Sequence, residues 1–323
     1  MARLSEDDLI ARFFAPLAGP DGLGLKDDAA CMAVEPGFDL VVTCDALVAG
    51  VHFFPDDPPD AIAAKALRVN LSDLAAKGAR PRGFVLALAL PAATDEAWLE
   101  RFAAGLAGDI ATYHCPLLGG DTVQTPGPLM VSITAFGLVP SGRMAPRTGA
   151  KAGDYLYVSG TIGDAALGLQ LRLGTIAAGA GSDHLRARYL RPLPRTALAG
   201  ALLDHAHACM DVSDGLVGDL AKMMRVSGVS ALVEADAVPL SFEVRALVAQ
   251  SDAHFAQALT GGDDYEILAS VPQESAAAFE AAAQMAGVAV TRIGLVRAGE
   301  GPPVFCDSTG QTISFARGSY SHF

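Results

Sequence analysis

Six short stretches set aspartate beside small residues and against apolar runs: KDDA (26–29), TCD (43–45), NLSD (70–73), GGDT (119–122), DVSDG (211–215) and GGDDYE (261–266). Carboxylates at strand ends can converge on the crevice where α/β proteins bind ligands, and neighbouring glycines let backbone come close to a phosphate. Convergence costs roughly 4 kcal/mol for two carboxylates 4 Å apart at an effective dielectric of 20, so a gathered set implies bound cations. Hard oxygen ligands select Mg2+, and Mg2+ in turn points to phosphates. Any one of these stretches alone is more often a turn or a helix cap. Asp73 is the hardest to explain that way: it falls inside a helical pattern of Leu and Ala, on one face with Asn70, and a buried carboxylate needs a partner.

Composition narrows the chemistry. The chain has 323 residues, about two domains' worth, and its 51% apolar and 18% charged content excludes extended disorder. A net charge of −13 argues against a nucleic-acid partner and would repel a nucleotide unless cations accompanied it. Mean hydropathy is +0.33, yet the longest apolar run, 84–90, is far short of the ~20 residues that span a bilayer, so no membrane partner is expected. The N-terminus carries acids and lacks a long apolar segment, which predicts a cytoplasmic protein. Cys31, Cys44, Cys115, Cys209 and Cys306 are odd in number with no C-x-x-C, as reduced thiols would be. The phosphate-loop, dinucleotide, nucleophile-elbow and H-E-x-x-H signatures are absent.

The elements that must position these aspartates read as alternating helix and strand. In the first part a helix is expected over 6–14, strands over 29–34, 40–43, 83–90 and 129–138, and helices over 59–77 and 94–113, with Thr94 as N-cap and Gly78 as C-cap. Both longer helices are expected to cover one sheet face. The turn-rich, basic stretch 139–153 is the best boundary, giving domains 1–140 and 141–323. Beyond it, strands are expected over 154–159, 209–211, 231–234, 265–271 and 288–293. Helices fit at 165–173, 216–226, 242–250 and 275–286, with a hairpin turn at 308–311. The fold class is therefore α/β in both domains.

TCDALVAGVHF (43–53), KALRVNLSDLAAKGARP (65–81), GGDT (119–122), RTGAKAGDYLYVSGTIGDAALGL (147–169), MDVSDGL (210–216), GGDDYEI (261–267) and the closing SYSHF (319–323) occur in the order and spacing of a known family. Over nearly its whole length the chain resembles the thiamine-monophosphate kinases, whose superfamily includes aminoimidazole ribonucleotide synthetase and selenophosphate synthetase. The resemblance implies a non-P-loop ATP-binding fold, an N-terminal domain that binds ATP and Mg2+ and forms a homodimer through its sheet, and a C-terminal α/β domain. It also implies ATP and several Mg2+ ions at the cleft between the domains, with thiamine monophosphate as acceptor. Carried over motif by motif, Asp28, Thr43, Cys44, Asp45, Asp73, Asp121, Asp211 and Asp214 look like metal ligands. Gly120, Asp121, Arg147 and Ser213 look like nucleotide contacts, and His52, Asp263 and Phe315 look like substrate contacts. Arg147 suits phosphate recognition on its own account, as a fixed cation in a glycine-bearing linker. No residue is expected to act as a nucleophile, since the acceptor phosphate is already ionised and transfer can be direct and in line.

The sequence departs from the family at Lys26, where glycine is usual, and at Cys44, where Thr or Ser is usual. Cysteine is a poor Mg2+ ligand, so a metal contact there comes from the backbone carbonyl or is lost. The alternatives are a sister synthetase and a non-catalytic Mg-nucleotide-binding protein. Against the first, no cysteine precedes Cys31, the chain ends in His322-Phe323, and CDALVAGVHF stands where the ribonucleotide synthetases carry a DGVGTK-like stretch. His114, His205 and His207 lie in no motif and read as structural or surface residues.

Overall fold

The computed structural model describes residues 5–316, 318 and 319. The chain divides into two compact units, Met1–Leu74 with Ala79–Gly142, and Ala75–Gly78 with Arg143–Phe323. Among the described residues, no helix is long and apolar enough to cross a membrane.

The first unit opens with a short α1 (Glu6–Leu9) that widens into a π-helical turn, Ile10–Phe14, burying Phe13 and Phe14. There follow β1 (Phe38–Val48), α2 (Pro59–Ala76), β2 (Arg80–Pro91), α3 (Glu96–Tyr113), β3 (Leu117–Thr125) and β4 (Met130–Pro140). The sheet order is β1-β4-β2-β3, with β2 and β3 parallel and the other pairs antiparallel. The expected strand over 29–34 does not form. Ladders need a partner, and this stretch pairs with no strand and runs mostly exposed as irregular chain. The GGDT motif, in contrast, lies inside β3, whose glycines and polar residues hide the strand from pattern reading. Asp95, not Thr94, caps α3, its carboxylate accepting from Trp98 N at 2.8 Å.

Helix α2 does more than cover a face. Ala63, Leu67, Leu71 and Leu74 are buried together with Lys65, Asn70 and Ser72, so it is buried nearly all round, as a helix in the middle of a unit must be. Past its last residue, Ala76, Gly78 takes the left-handed conformation (φ 70°). Arg68 of α2 forks onto Asp109 of α3 with bonds of 2.8 and 2.7 Å, tying the two helices together. On the sheet, β1 leaves Leu40, Val42, Cys44 and Ala46 exposed on one face, and Ala87 of β2, in register with Ser132 opposite Ala46, lies exposed on the same side.

The second unit contains β5 (Tyr155–Ser159), α4 (Asp164–Leu173), α5 (Ser182–Leu190), α6 (Ala199–His205), β6 (Ala208–Val212), α7 (Leu216–Ser227), β7 (Ser230–Glu234), α8 (Phe242–Val248), α9 (Asp252–Thr260), β8 (Glu266–Val271), α10 (Ala276–Met285), β9 (Val290–Arg297), β10 (Val304–Cys306) and β11 (Thr312–Ile313). Its seven-stranded sheet has the order β11-β10-β7-β9-β5-β8-β6. Every residue of β6 and β8 is buried, so both faces of the sheet are covered there. One core lies around Leu156, Val158, Leu167, Leu216, Leu220 and Phe305, and a second around Tyr157, Leu202, Ile267 and Phe279. Helices α5, α6 and α9 were not expected. In α5 the buried positions are Ser182, Leu185, Arg188 and Tyr189, a face that no apolar period reveals.

Candidate active site

Strand alternation sorts the TCD motif. Thr43 and Asp45 share the side of β1 that carries buried Val41 and Leu47, and Thr43 Oγ1 donates to Asp73 Oδ2 of α2 at 2.5 Å. Cys44 points to the other side, exposed, with its Sγ 3.8 Å from Ser132 Oγ of β4. Its thiol is therefore not available to the face on which Thr43, Asp45 and Asp73 stand, and only its backbone remains there. The Asp45 carboxyl is pushed up to about 6, first by burial and then by the negative charge of Asp73. A half-buried pair of like charges is a place where a cation fits.

A cavity of about 190 Å³ opens elsewhere in the same unit, lined by Asp27, Asp28, Gly119, Gly120, Asp121 and Thr122, with Ile10, Phe14, Leu25 and Leu86 as an apolar wall. Asp28 and Asp121 are exposed at its edge. Gly120 has a structural reason of its own, since a Cβ there would stand 2.0 Å from the carbonyl oxygen of Leu86 on β2. His52 follows β1 in a turn. Its Nδ1 accepts from Val48 N at 3.0 Å, which leaves the ring proton on Nε2, and its carbonyl accepts from the buried Lys65 Nζ at 3.0 Å.

In the second unit two motifs are laced together by main-chain bonds. Asp263 N donates to Ser213 O at 2.9 Å and Tyr265 N to Val212 O at 2.8 Å. At Gly262 a Cβ would meet Ser213 O at 2.3 Å, so only glycine allows this approach. Asp263 (φ 74°) and Tyr265 (φ 51°) both adopt the left-handed conformation, at about 1–2 kcal/mol each. Asp211 is buried at the end of β6. Asp214 is paired with Lys222, which also binds Asp219 at 2.8 Å. Asp219, buried in the first turn of α7, accepts from Ser213 N at 3.0 Å and Asp214 N at 2.9 Å and so fixes the turn that carries both site residues. Burial raises its carboxyl, against the pull of Lys222. Sequence reading missed it, although an acid in the first turn after a glycine is a helix-start signal.

The remaining candidates have settings of their own. Arg147 is exposed in the bend after β4. Phe315 is half-buried against the core of the second unit, edge-on to Phe305 with centroids 5.3 Å apart. His207 is held by Asp154 at 2.9 Å and His114 is the left-handed residue ending α3. Apart from Gly318 and Ser319, the closing residues from 317 lie outside the described residues, including most of SYSHF. Among the described residues, no three His, Cys, Asp or Glu side chains stand together closely enough to hold a metal ion by themselves. Asp45 and Asp73 stand as a pair, so a cation held by them would take further ligands from other oxygens, such as water or a phosphate.

The chain matches the AIR synthase related protein N-terminal domain over residues 26–139 and the corresponding C-terminal domain over 151–307. A thiamine-monophosphate kinase of Caulobacter vibrioides is 46% identical over 302 residues, which cover 92% of this chain and 85% of the relative. The crystal structure of thiamine-monophosphate kinase from Stenotrophomonas maltophilia has a TM-score of 0.84 at 40% identity, covering 96% of this chain and 98% of that one. AaThiL complexed with AMPPCP and TMP has a TM-score of 0.79 at 31% identity, covering 100% and 99%. Matched domains and fold together make this a two-domain enzyme of the AIR synthase related class. Within that class the chain belongs to the thiamine-monophosphate kinase family.

Proposed function

We propose that the chain transfers the γ-phosphoryl group of ATP directly to the phosphate of thiamine monophosphate, yielding thiamine diphosphate and ADP, without a phosphorylated enzyme. The observation that carries this reading is the Asp45–Asp73 pair, linked to Thr43 on one side of β1, where burial first and the charge of Asp73 second push the Asp45 carboxyl up to about 6 and a cation would relieve both. Asp45, Asp73 and Thr43 would hold Mg2+ in the first unit together with the backbone of Cys44. Asp28 and Asp121 would hold a second ion at the edge of the cavity, and Asp211 and Asp214 others in the second unit. When bound, the ions neutralise the repulsion between the two phosphates and stabilise the charge spread over the transferring group.

The chain's own groups have separate tasks. Arg147 presents a planar fork to phosphate, and the backbone at Gly120 and the Ser213 hydroxyl contact the nucleotide. His52, protonated on Nε2, donates to the acceptor phosphate, and Asp263 meets the cationic ring system of the acceptor. Phe315, half-buried beside Phe305, would stack on the ring system of the acceptor. Two copies would associate through the open side of the first unit's sheet, where Leu40 and Val42 are exposed, and the protein would act in the cytoplasm.

ATP consumption measured with and without thiamine monophosphate tests this reading. Consumption that depends on thiamine monophosphate and is not supported by free thiamine is expected. Equal kcat/KM with free thiamine, or nucleotide binding with no turnover, would overturn it.

A further inference from the structure

We propose that Arg188 is a positioning residue for Asp263. Through the backbone of Asp264 it fixes the left-handed turn that aims Asp263 at the acceptor, and the proposal rests on the reading of Asp263 given above. Two left-handed non-glycine residues within three positions, Asp263 and Tyr265, persist only where the surroundings over-determine them. One side of the turn is held by the bonds to Val212 O and Ser213 O. The other side is held by side chains of buried residues. Asp264, 1% exposed, receives Gly163 N at 2.7 Å and Ala165 N at 3.2 Å on its two carboxylate oxygens, at the start of α4. Arg188, reaching in from α5, donates from Nη2 to the carbonyl oxygen of Asp264 at 3.3 Å and to Glu266 Oε1 at 2.8 Å, so one nitrogen spans Tyr265.

The arrangement makes little sense as a device for stability. Buried ion pairs return little net stability, and here Arg188 Nη1 is buried without a hydrogen bond. Nor is Arg188 needed to neutralise Glu266, which Arg195 already grips with both nitrogens of its fork at 2.6 and 2.5 Å and which Ser159 Oγ also reaches at 2.6 Å. What Arg188 adds is the contact to the backbone between the two left-handed residues.

The test is a double-mutant cycle on the full-length enzyme with Arg188→Lys, which keeps the charge and loses the fork, and Asp263→Ala. Arg188→Lys is expected to raise KM for thiamine monophosphate about tenfold while leaving KM for ATP and kcat within about twofold, the size of one lost charge-assisted hydrogen bond. In the Asp263→Ala background the same change is expected to raise KM no further. Additive effects, or an unchanged KM in Arg188→Lys, would overturn the proposal. An unchanged KM in Asp263→Ala alone would overturn the reading beneath it and the proposal with it, and is recognisable because it appears in that single variant. Asp264→Asn, which alters the same turn from the side chain of Asp264, gives the same pattern of KM changes if Arg188→Lys folds poorly.

Discussion

Thr43 on β1 donates its hydroxyl to the Asp73 carboxylate on α2 across 2.5 Å, and that bond fixes which side of the strand faces the helix. Asp45 is on that side by strand period, and its carboxyl is raised by burial there and, second, by the charge of Asp73. The central pair of the proposed metal site thus follows from one strand, one helix and a two-residue repeat.

If the pair holds Mg2+, Asp45→Asn and Asp73→Asn should each lower kcat by about 100-fold and raise the Mg2+ concentration needed for half-maximal rate. Steady-state rates over a Mg2+ titration measure both effects. A variant with normal rates at low Mg2+ would contradict the assignment.

Cys44 lies on the opposite side of the strand, so Cys44→Ser and Cys44→Thr should leave the rate and the Mg2+ requirement within about twofold, as surface substitutions do. A sharply raised Mg2+ requirement in Cys44→Ser would show that the thiol reaches the metal.

Asp45 also makes stability depend on pH. Its folded carboxyl titrates at about 6 against 3.8 when unexposed to these neighbours, so the folded state binds the proton more tightly. That contribution is fully present below about 4 and is lost as pH rises through about 6, at up to about 3 kcal/mol. In EDTA, Asp45→Asn should therefore gain stability over the parent as pH rises from about 4 to 7, and Mg2+ should shrink the gap. Thermal unfolding across that range checks the sign, and a gap that narrows with rising pH in EDTA would refute it.

Gly120→Ala should destabilise the first unit with or without nucleotide, because the new methyl would sit 2.0 Å from Leu86 O in the β2–β3 ladder. Overpacking of this kind costs about 1–3 kcal/mol or more. Unfolding midpoints in the absence of ligand decide the point: an unchanged midpoint would mean that β3 yields easily and that Gly120 serves the nucleotide alone.

Much of this architecture was legible from residue patterns, for identifiable reasons. Asp73 stood out because a carboxylate within a run of Leu and Ala has no bland explanation, and the α/β character of both units followed from apolar runs alternating with helical periods. Strand β3 was hidden because LLGGDTVQT lacks β-branched alternation and is held in place by its parallel neighbour β2. The apolar stretch 29–34 misled because pattern alone does not supply a ladder partner. Arg188, Arg195 and Glu266 form their cluster from α5, the loop after it and β8, across 78 positions between Arg188 and Glu266, a proximity that no local motif encodes.

The most direct measurement follows the γ-phosphoryl group itself. With γ-labelled ATP, Mg2+ and thiamine monophosphate in a single turnover, label should pass into thiamine diphosphate with no labelled protein at any time, and without acceptor the protein should stay unlabelled. A labelled protein that passes its phosphoryl group to thiamine monophosphate at the rate of turnover, or full transfer after all divalent metal is chelated, would contradict the account.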